Sequence, residues 1–207
     1  DLVTGALTNI SRHSGQDRAP AWSPDGRWLA FVSRRGMTSQ IFVHELATGS
    51  RRLISGHEAF DDTPVWSPDS RFLAYVSWQS RNTEIMLYDF ETGRETNLSR
   101  HIANDNSPAW SPDGTRLAFW SNRTGNLEIY VYDFETGILT NVSNHPGTDS
   151  SPVWSPDGSR LAYVSIPNIN GANPEIVVLD LVSGRRTNLS NNPTSHNHSH
   201  AWTQVGG

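Results

Sequence analysis

The 207-residue sequence predicts an all-β fold, and three observations carry that prediction. A heptapeptide occurs four times, at 20–26, 64–70, 108–114 and 152–158, and reads Pro-Ala/Val-Trp-Ser-Pro-Asp-Gly/Ser. Its tryptophans, Trp22, Trp66, Trp110 and Trp154, follow one another at a constant 44 residues. No segment sustains a helical period, while turn-forming residues return roughly every 8–12 residues. A repeat of this length marks units that bury their apolar faces only against their neighbours. Four antiparallel strands per unit of that length is the pattern of a β-propeller blade. The expected architecture is a single domain over 1–207 with four complete 44-residue blades. The full repeats are 12–55, 56–99, 100–143 and 144–190. Segment 1–11 is expected as the outer strand of a partial blade, and 191–207 as the first strand of another, carrying a degraded copy of the motif at Ala201-Trp202.

Each unit reads in the same order. Strand one is the Ala/Val-Trp segment, introduced by a proline that suits a strand's first residue. Ser-Pro-Asp-Gly follows as a tight turn, in which proline presets φ, aspartate bonds nearby backbone and glycine accepts positive φ. Strand two is almost wholly apolar, as in Phe72-Leu-Ala-Tyr-Val and Leu161-Ala-Tyr-Val, which suits a strand covered on both faces. A polar loop leads to strand three, seen at Ile85-Met-Leu-Tyr and Ile129-Tyr-Val-Tyr. A Thr-Gly or Ser-Gly turn then opens strand four, which ends on Thr-Asn-Leu-Ser or a close relative. The four tryptophans are expected as packing between blades, where large aromatic surfaces are used.

Composition removes several classes of function. The net charge of −5 opposes a nucleic-acid binder that needs a basic face. All sixteen basic residues are arginine, so neither Schiff-base chemistry nor a P-loop lysine is available. Without cysteine there are no disulfides, thiol nucleophiles or thiolate metal sites. No apolar run of about 18 residues is present, so no membrane-inserted helix is expected. No nucleophile elbow, dinucleotide fingerprint or zinc-protease helix motif occurs, and no cofactor is implied.

The motifs Trp-Ser-Pro-Asp-Gly, Leu-Ala-Phe/Tyr, Glu128-Ile-Tyr-Val-Tyr-Asp133 and Glu-Thr-Gly, in that order, resemble the WD40-like (PD40) repeats of the TolB family, over essentially the whole chain. Similar propellers form the non-catalytic domain of prolyl-oligopeptidase-like serine peptidases. The resemblance implies a non-catalytic binding module with a protein or peptide partner, and a periplasmic or extracytoplasmic location. Two alternatives stand beside it: the gating propeller of such a peptidase, and a stand-alone or engineered structural repeat protein. Classical WD40 repeats carry Gly-His nine residues before the aromatic. Here His13, His57, His101 and His145 keep the spacing, but only His57 follows glycine, which favours the TolB-type branch.

Asp17, Asp61, Asp105 and Asp149 lie five residues before their tryptophans, with Asn197 in the degraded copy. On the innermost strand they would ring one mouth of the channel, where convergent carboxylates attract a cation or basic peptide end. The alternative is that each supports its own loop. Glu84, Glu128 and Glu175, with Gln40, precede strand three and are expected to pair with Arg34, Arg81 and Arg123 in a solvated rim. The histidine column is expected to make loop hydrogen bonds. His196, His198 and His200 alternate along one strand face but spread ~13 Å, too wide for one metal ion unless the segment curls. The two partial blades lack middle strands, so the chain is expected either to come from a longer ring or to self-associate through open blade edges.

Overall fold

The computed structural model describes residues 5–56, 59–79, 81–167 and 173–190. Among them are sixteen strands in four successive antiparallel meanders. The first comprises β1 (Asp17–Trp22), β2 (Trp28–Arg35), β3 (Thr38–Glu45) and β4 (Arg51–Leu53). The second holds β5 (Phe60–Trp66), β6 (Phe72–Gln79), β7 (Asn82–Asp89) and β8 (Arg94–Asn97). The third holds β9 (Asp105–Trp110), β10 (Arg116–Ser121), β11 (Glu128–Asp133) and β12 (Leu139–Asn141). The fourth holds β13 (Thr148–Trp154), β14 (Arg160–Ile166), β15 (Glu175–Asp180) and β16 (Arg186–Asn188). One parallel bridge, Ser39 to Phe60, joins the first two meanders into an eight-stranded sheet.

The Ser-Pro-Asp-Gly turns close as their chemistry demands. In the first, Gly26 N donates to Ser23 O at 2.9 Å, and Asp25 Oδ1 accepts from Ser23 Oγ at 2.6 Å and Arg27 N at 3.0 Å. The last position has φ near +70° in three copies, and Ser70 holds φ +62° in the second.

The core lies between meanders. One apolar cluster joins the first and second through Trp28, Val43, Trp66, Leu73 and Tyr75. A second joins the second and third through Ala74, Leu87, Leu117 and Phe119, and a third joins the third and fourth through Val131, Trp154, Leu161 and Tyr163. Alternate residues of β6, Leu73 and Tyr75 against Ala74 and Val76, thus serve opposite interfaces, which is why strand two is apolar throughout. Strands β1, β5, β9 and β13 touch one another in sequence, so strand one is the inner strand. Strands β4, β8, β12 and β16 touch only strand three of their own meander and are outermost. Among the described residues the first and fourth meanders share no contact.

Four expectations need correction. Strand one begins three to four residues before the proline. The proline has no N–H to pair, and a one-residue bulge absorbs it, with Ala19, Thr63, Ser107 and Ser151 at φ +48° to +56°. Residues 5–11 form no strand, because a strand four pairs only with a strand three and none precedes them among the described residues. Trp22 is 58% exposed, whereas Trp66 and Trp154 are 8% and 6% exposed, because among the described residues no meander packs over it. The glutamates form no solvated rim: Glu84, Glu128 and Glu175 are buried hydrogen-bond hubs.

Candidate functional site at the inner strand ends

The repeated polar residues at the inner end of each meander are occupied by the loops themselves. Glu128 accepts from Asn126 Nδ2 at 2.7 Å, from Ser143 Oγ at 2.5 Å and from His145 N at 3.0 Å. Glu84 repeats this with Asn82 and Ser99, and Glu175 accepts from Ser190. These serines end the Asn-x-Ser sequences, whose asparagines cap the next turn: Asn97 Oδ1 accepts from Arg100 N, and Asn141 Oδ1 from Asn144 N. Histidine Nδ1 atoms accept loop N–H groups in three copies, His13 from Gly15, His101 from Ala103 and His145 from Gly147. His57 lies outside the described residues. The strand-four ending and the histidine column are therefore one repeated loop anchor.

The aspartate column divides. Asp61, Asp105 and Asp149 have no exposed surface, while Asp17 is exposed, with no meander packed before it among the described residues. Each sits directly across from a strand-two serine: Ser33, Ser77, Ser121 and Ser165 respectively. Asp105 is further held by Arg123, whose Nη2 donates at 3.0 Å. Arg123 was expected to face a glutamate; its guanidinium turns instead to the aspartate and stacks 4.8 Å from the Tyr130 ring centre. Asp149 has Arg186 at 3.8 Å. Burial pushes both carboxyls above the ordinary carboxylate range, partly offset by the Ser121 hydroxyl and Arg123 beside Asp105, and by the Ser165 hydroxyl and Arg186 beside Asp149. Asn197, His196, His198 and His200 lie outside the described residues, and no three potential metal ligands cluster among the described ones.

What the repeat pattern concealed is the next residue along. Side chains alternate across a strand, so the residue after each aspartate points to the opposite face. These positions are Arg18, Asp62, Asn106 and Ser150, four different side chains, all exposed or half-buried. Arg18 Nη2 meets Asp62 Oδ2 at 3.1 Å, an ion pair across the first two meanders with both side chains about 45% exposed (45% and 44%). One residue before Asp61, Phe60 faces Trp78 across the strand pair, with ring centroids 6.5 Å apart and exposures of 54% and 56%. Other meanders carry Gln16 and Arg34, Asn104 and Asn122, or Thr148 and Ile166 at those places. The detectable signal was variation at a fixed register inside an otherwise constant repeat.

Chemically, this end offers an aromatic platform, a mixed-charge pair and neutral hydrogen-bonding groups. It holds no nucleophile paired with a base among the described residues.

The family model described as PD40, TolB beta propeller domain, matches residues 60–206. No curated protein sequence matches the chain. Among solved structures, TolB from Acinetobacter baumannii is 28% identical with a TM-score of 0.70, covering 89% of this chain and 45% of its own. A puromycin-hydrolyzing peptidase from Mycobacterium tuberculosis shares the fold at 20% identity and TM-score 0.73, covering 89% of this chain and 30% of its own. Hydrazine synthase from Kuenenia stuttgartiensis shares it at 17% identity and TM-score 0.66, covering 87% of this chain and 56% of its own. The chain thus spans less than two thirds of each of these three proteins.

Proposed function

We propose, from the premise that the chain belongs to the TolB β-propeller family, that it is a non-catalytic binding module for a protein or peptide segment. The four meanders are read as four blades of about 44 residues around a common channel. The partner docks at the inner strand ends, with Phe60 and Trp78 as the aromatic anchor and Arg18, Asp62, Asn106 and Ser150 as polar contacts. The carrying observation is the division of labour at this end. In the second, third and fourth meanders the constant acids are enclosed and serve the loops, while the exposed residues differ from blade to blade, as a recognition surface requires. The aspartate column contributes mainly through its field, a negative potential that favours a basic segment.

A peptide library displayed on phage and panned against the chain tests this reading. Selected peptides should lose roughly tenfold or more in affinity for Trp78→Ala, as truncation of an aromatic anchor does. They should be indifferent to Ile138→Ala, an exposed residue in the turn between strands three and four. Peptides that ignore Trp78 but respond at Ile138 would move the site to the opposite face. A second reading, a gating propeller attached to a peptidase domain, draws on the peptidase neighbours. It requires an α/β-hydrolase segment in the same reading frame.

A further inference from the structure

At the end of the blades away from the inner strand starts, the first and second meanders enclose a groove of about 480 Å³. Its floor is aromatic: Trp28 is buried, Phe90 is half-buried, and their ring centroids lie 5.6 Å apart. The Ser-Pro-Asp turns of both meanders line it, and Asp25 N donates to Ser70 Oγ at 3.1 Å, which ties one turn to the other.

The charges around this groove divide into paired and unpaired. Arg27 is held by Glu45 at 2.8 Å, and Arg71 by Asp89 at 3.0 Å and Glu91 at 2.9 Å. Arg52 meets no carboxylate among the described residues. Its guanidinium leans over the floor instead, 5.7 Å from the centre of the Trp28 ring and 6.0 Å from that of Phe90. Asp25 and Asp69 spend Oδ1 on their own turns, accepting from the serine two residues before and the backbone N–H two residues after. Oδ2 of each accepts no hydrogen bond among the described residues. The groove thus offers a guanidinium and two carboxylates above an aromatic base, which suits a short molecule with a positive group at one end and a carboxylate at the other.

The third interface indicates which positive group this setting takes. There Arg116 stands at the repeat position of Trp28, with its guanidinium 4.6 Å from the centre of the Trp154 ring. It donates from Nη2 to Gly158 O at 2.9 Å and lies 4.0 Å from Asp113 Oδ2. Gly158 and Asp113 correspond in the repeat to Ser70 and Asp25. A ring face, a turn carbonyl and a turn aspartate hold a guanidinium between adjoining blades. At the first interface these groups recur, but an indole replaces the arginine.

We propose that the groove between the first and second meanders binds a terminal arginine, either free L-arginine or the last residue of a peptide. The ligand's guanidinium lies on the Trp28 and Phe90 floor beside Asp25, Asp69 and the Ser70 carbonyl, and its carboxylate pairs with Arg52. A planar guanidinium matches both partners, stacking on a ring while forking to a carboxylate. This site stands apart from the recognition face at the inner strand ends, and neither reading needs the other.

Titration of the purified chain with L-arginine, followed by amide NMR shifts, should saturate with a Kd of about 1 mM or tighter. Citrulline keeps the shape without the charge, argininamide lacks the carboxylate, and each should bind roughly tenfold more weakly. Asp25→Asn combined with Asp69→Asn preserves both turn acceptors and should weaken arginine by about tenfold. Arg52→Gln, at an exposed position, should erase the preference for arginine over argininamide while leaving argininamide binding unchanged, which a merely structural role would not do. Tighter binding of the tripeptide Gly-Gly-Arg than of arginine assigns the groove to peptide ends, and the reverse assigns it to the free amino acid. Failure to saturate at about ten times that concentration overturns the proposal. So does equal affinity for citrulline, or a preference over argininamide that survives Arg52→Gln.

Discussion

Asp149 has both carboxylate oxygens buried without a hydrogen-bond donor in good geometry, and its nearest cation, Arg186, stands at 3.8 Å. Burial raises its pKa above the ordinary 3.8, so the folded state binds the proton more tightly than the unfolded chain. Ionisation therefore opposes folding. The penalty is absent below pH 3.8 and fully present above the raised folded value. Asp157 works in the opposite sense: the Ser155 hydroxyl and Ser159 hold its carboxyl down to about 2, a stabilisation lost as pH falls through that value. The Asp149 effect must accordingly be read as a difference between variant and parent. Asp149→Asn should be more stable than the parent at pH 7 in urea titrations, and the gain should shrink toward zero below about pH 3.8. A variant less stable than the parent at every pH would mean that the carboxylate is a required loop acceptor. Such an outcome would also weaken the idea that the column is retained for its field.

At the scale of the strand, the tryptophans offer a matched series, since four chemically identical positions differ in what packs over them. Trp66→Ala and Trp154→Ala remove buried rings and a hydrogen bond at an interface, and each should cost roughly 3–5 kcal/mol. Trp22→Ala, measured in dilute solution, should cost far less, because more than half of its side chain is already in water. Equal losses at all four positions would show that a further element covers Trp22. The repeat made the strand order legible, and the unbroken apolar run of strand two announced burial on both faces. It could not reveal the start of strand one. The proline there reads as a strand beginning, yet pairing resumes on its far side through a bulge at Thr63 or Ser107. Nor could it separate Asp61 from Asp62. Adjacent acids look alike in sequence, and only the alternation of the strand encloses one and leaves the other in solvent.

Across the whole molecule, cohesion passes from meander to meander through three separate apolar clusters, with no contact between the first and fourth among the described residues. In such an array, stability is a sum of unit and nearest-neighbour terms, so damage should stay local. The middle interface provides a sharp test. Trp110 stacks on Phe134 at 5.1 Å and on Phe72 at 6.1 Å, and it bonds Val65 O across that boundary. The connection spanning the same boundary carries Arg100, exposed and held at φ +41°. With no lysine in the chain, trypsin can cut only after arginine, which makes Arg100 a direct reporter of opening between the second and third meanders. Trp110→Ala should raise the rate of cleavage after Arg100 by tenfold or more, since every ~1.4 kcal/mol lost from the closed state multiplies the open population by ten. Trp154→Ala weakens the next boundary instead, and it should leave that rate within about twofold while loosening the fourth meander. Equal acceleration by both variants would mean that the interfaces open together. The molecule would then behave as one cooperative unit, with each meander answering to all the others.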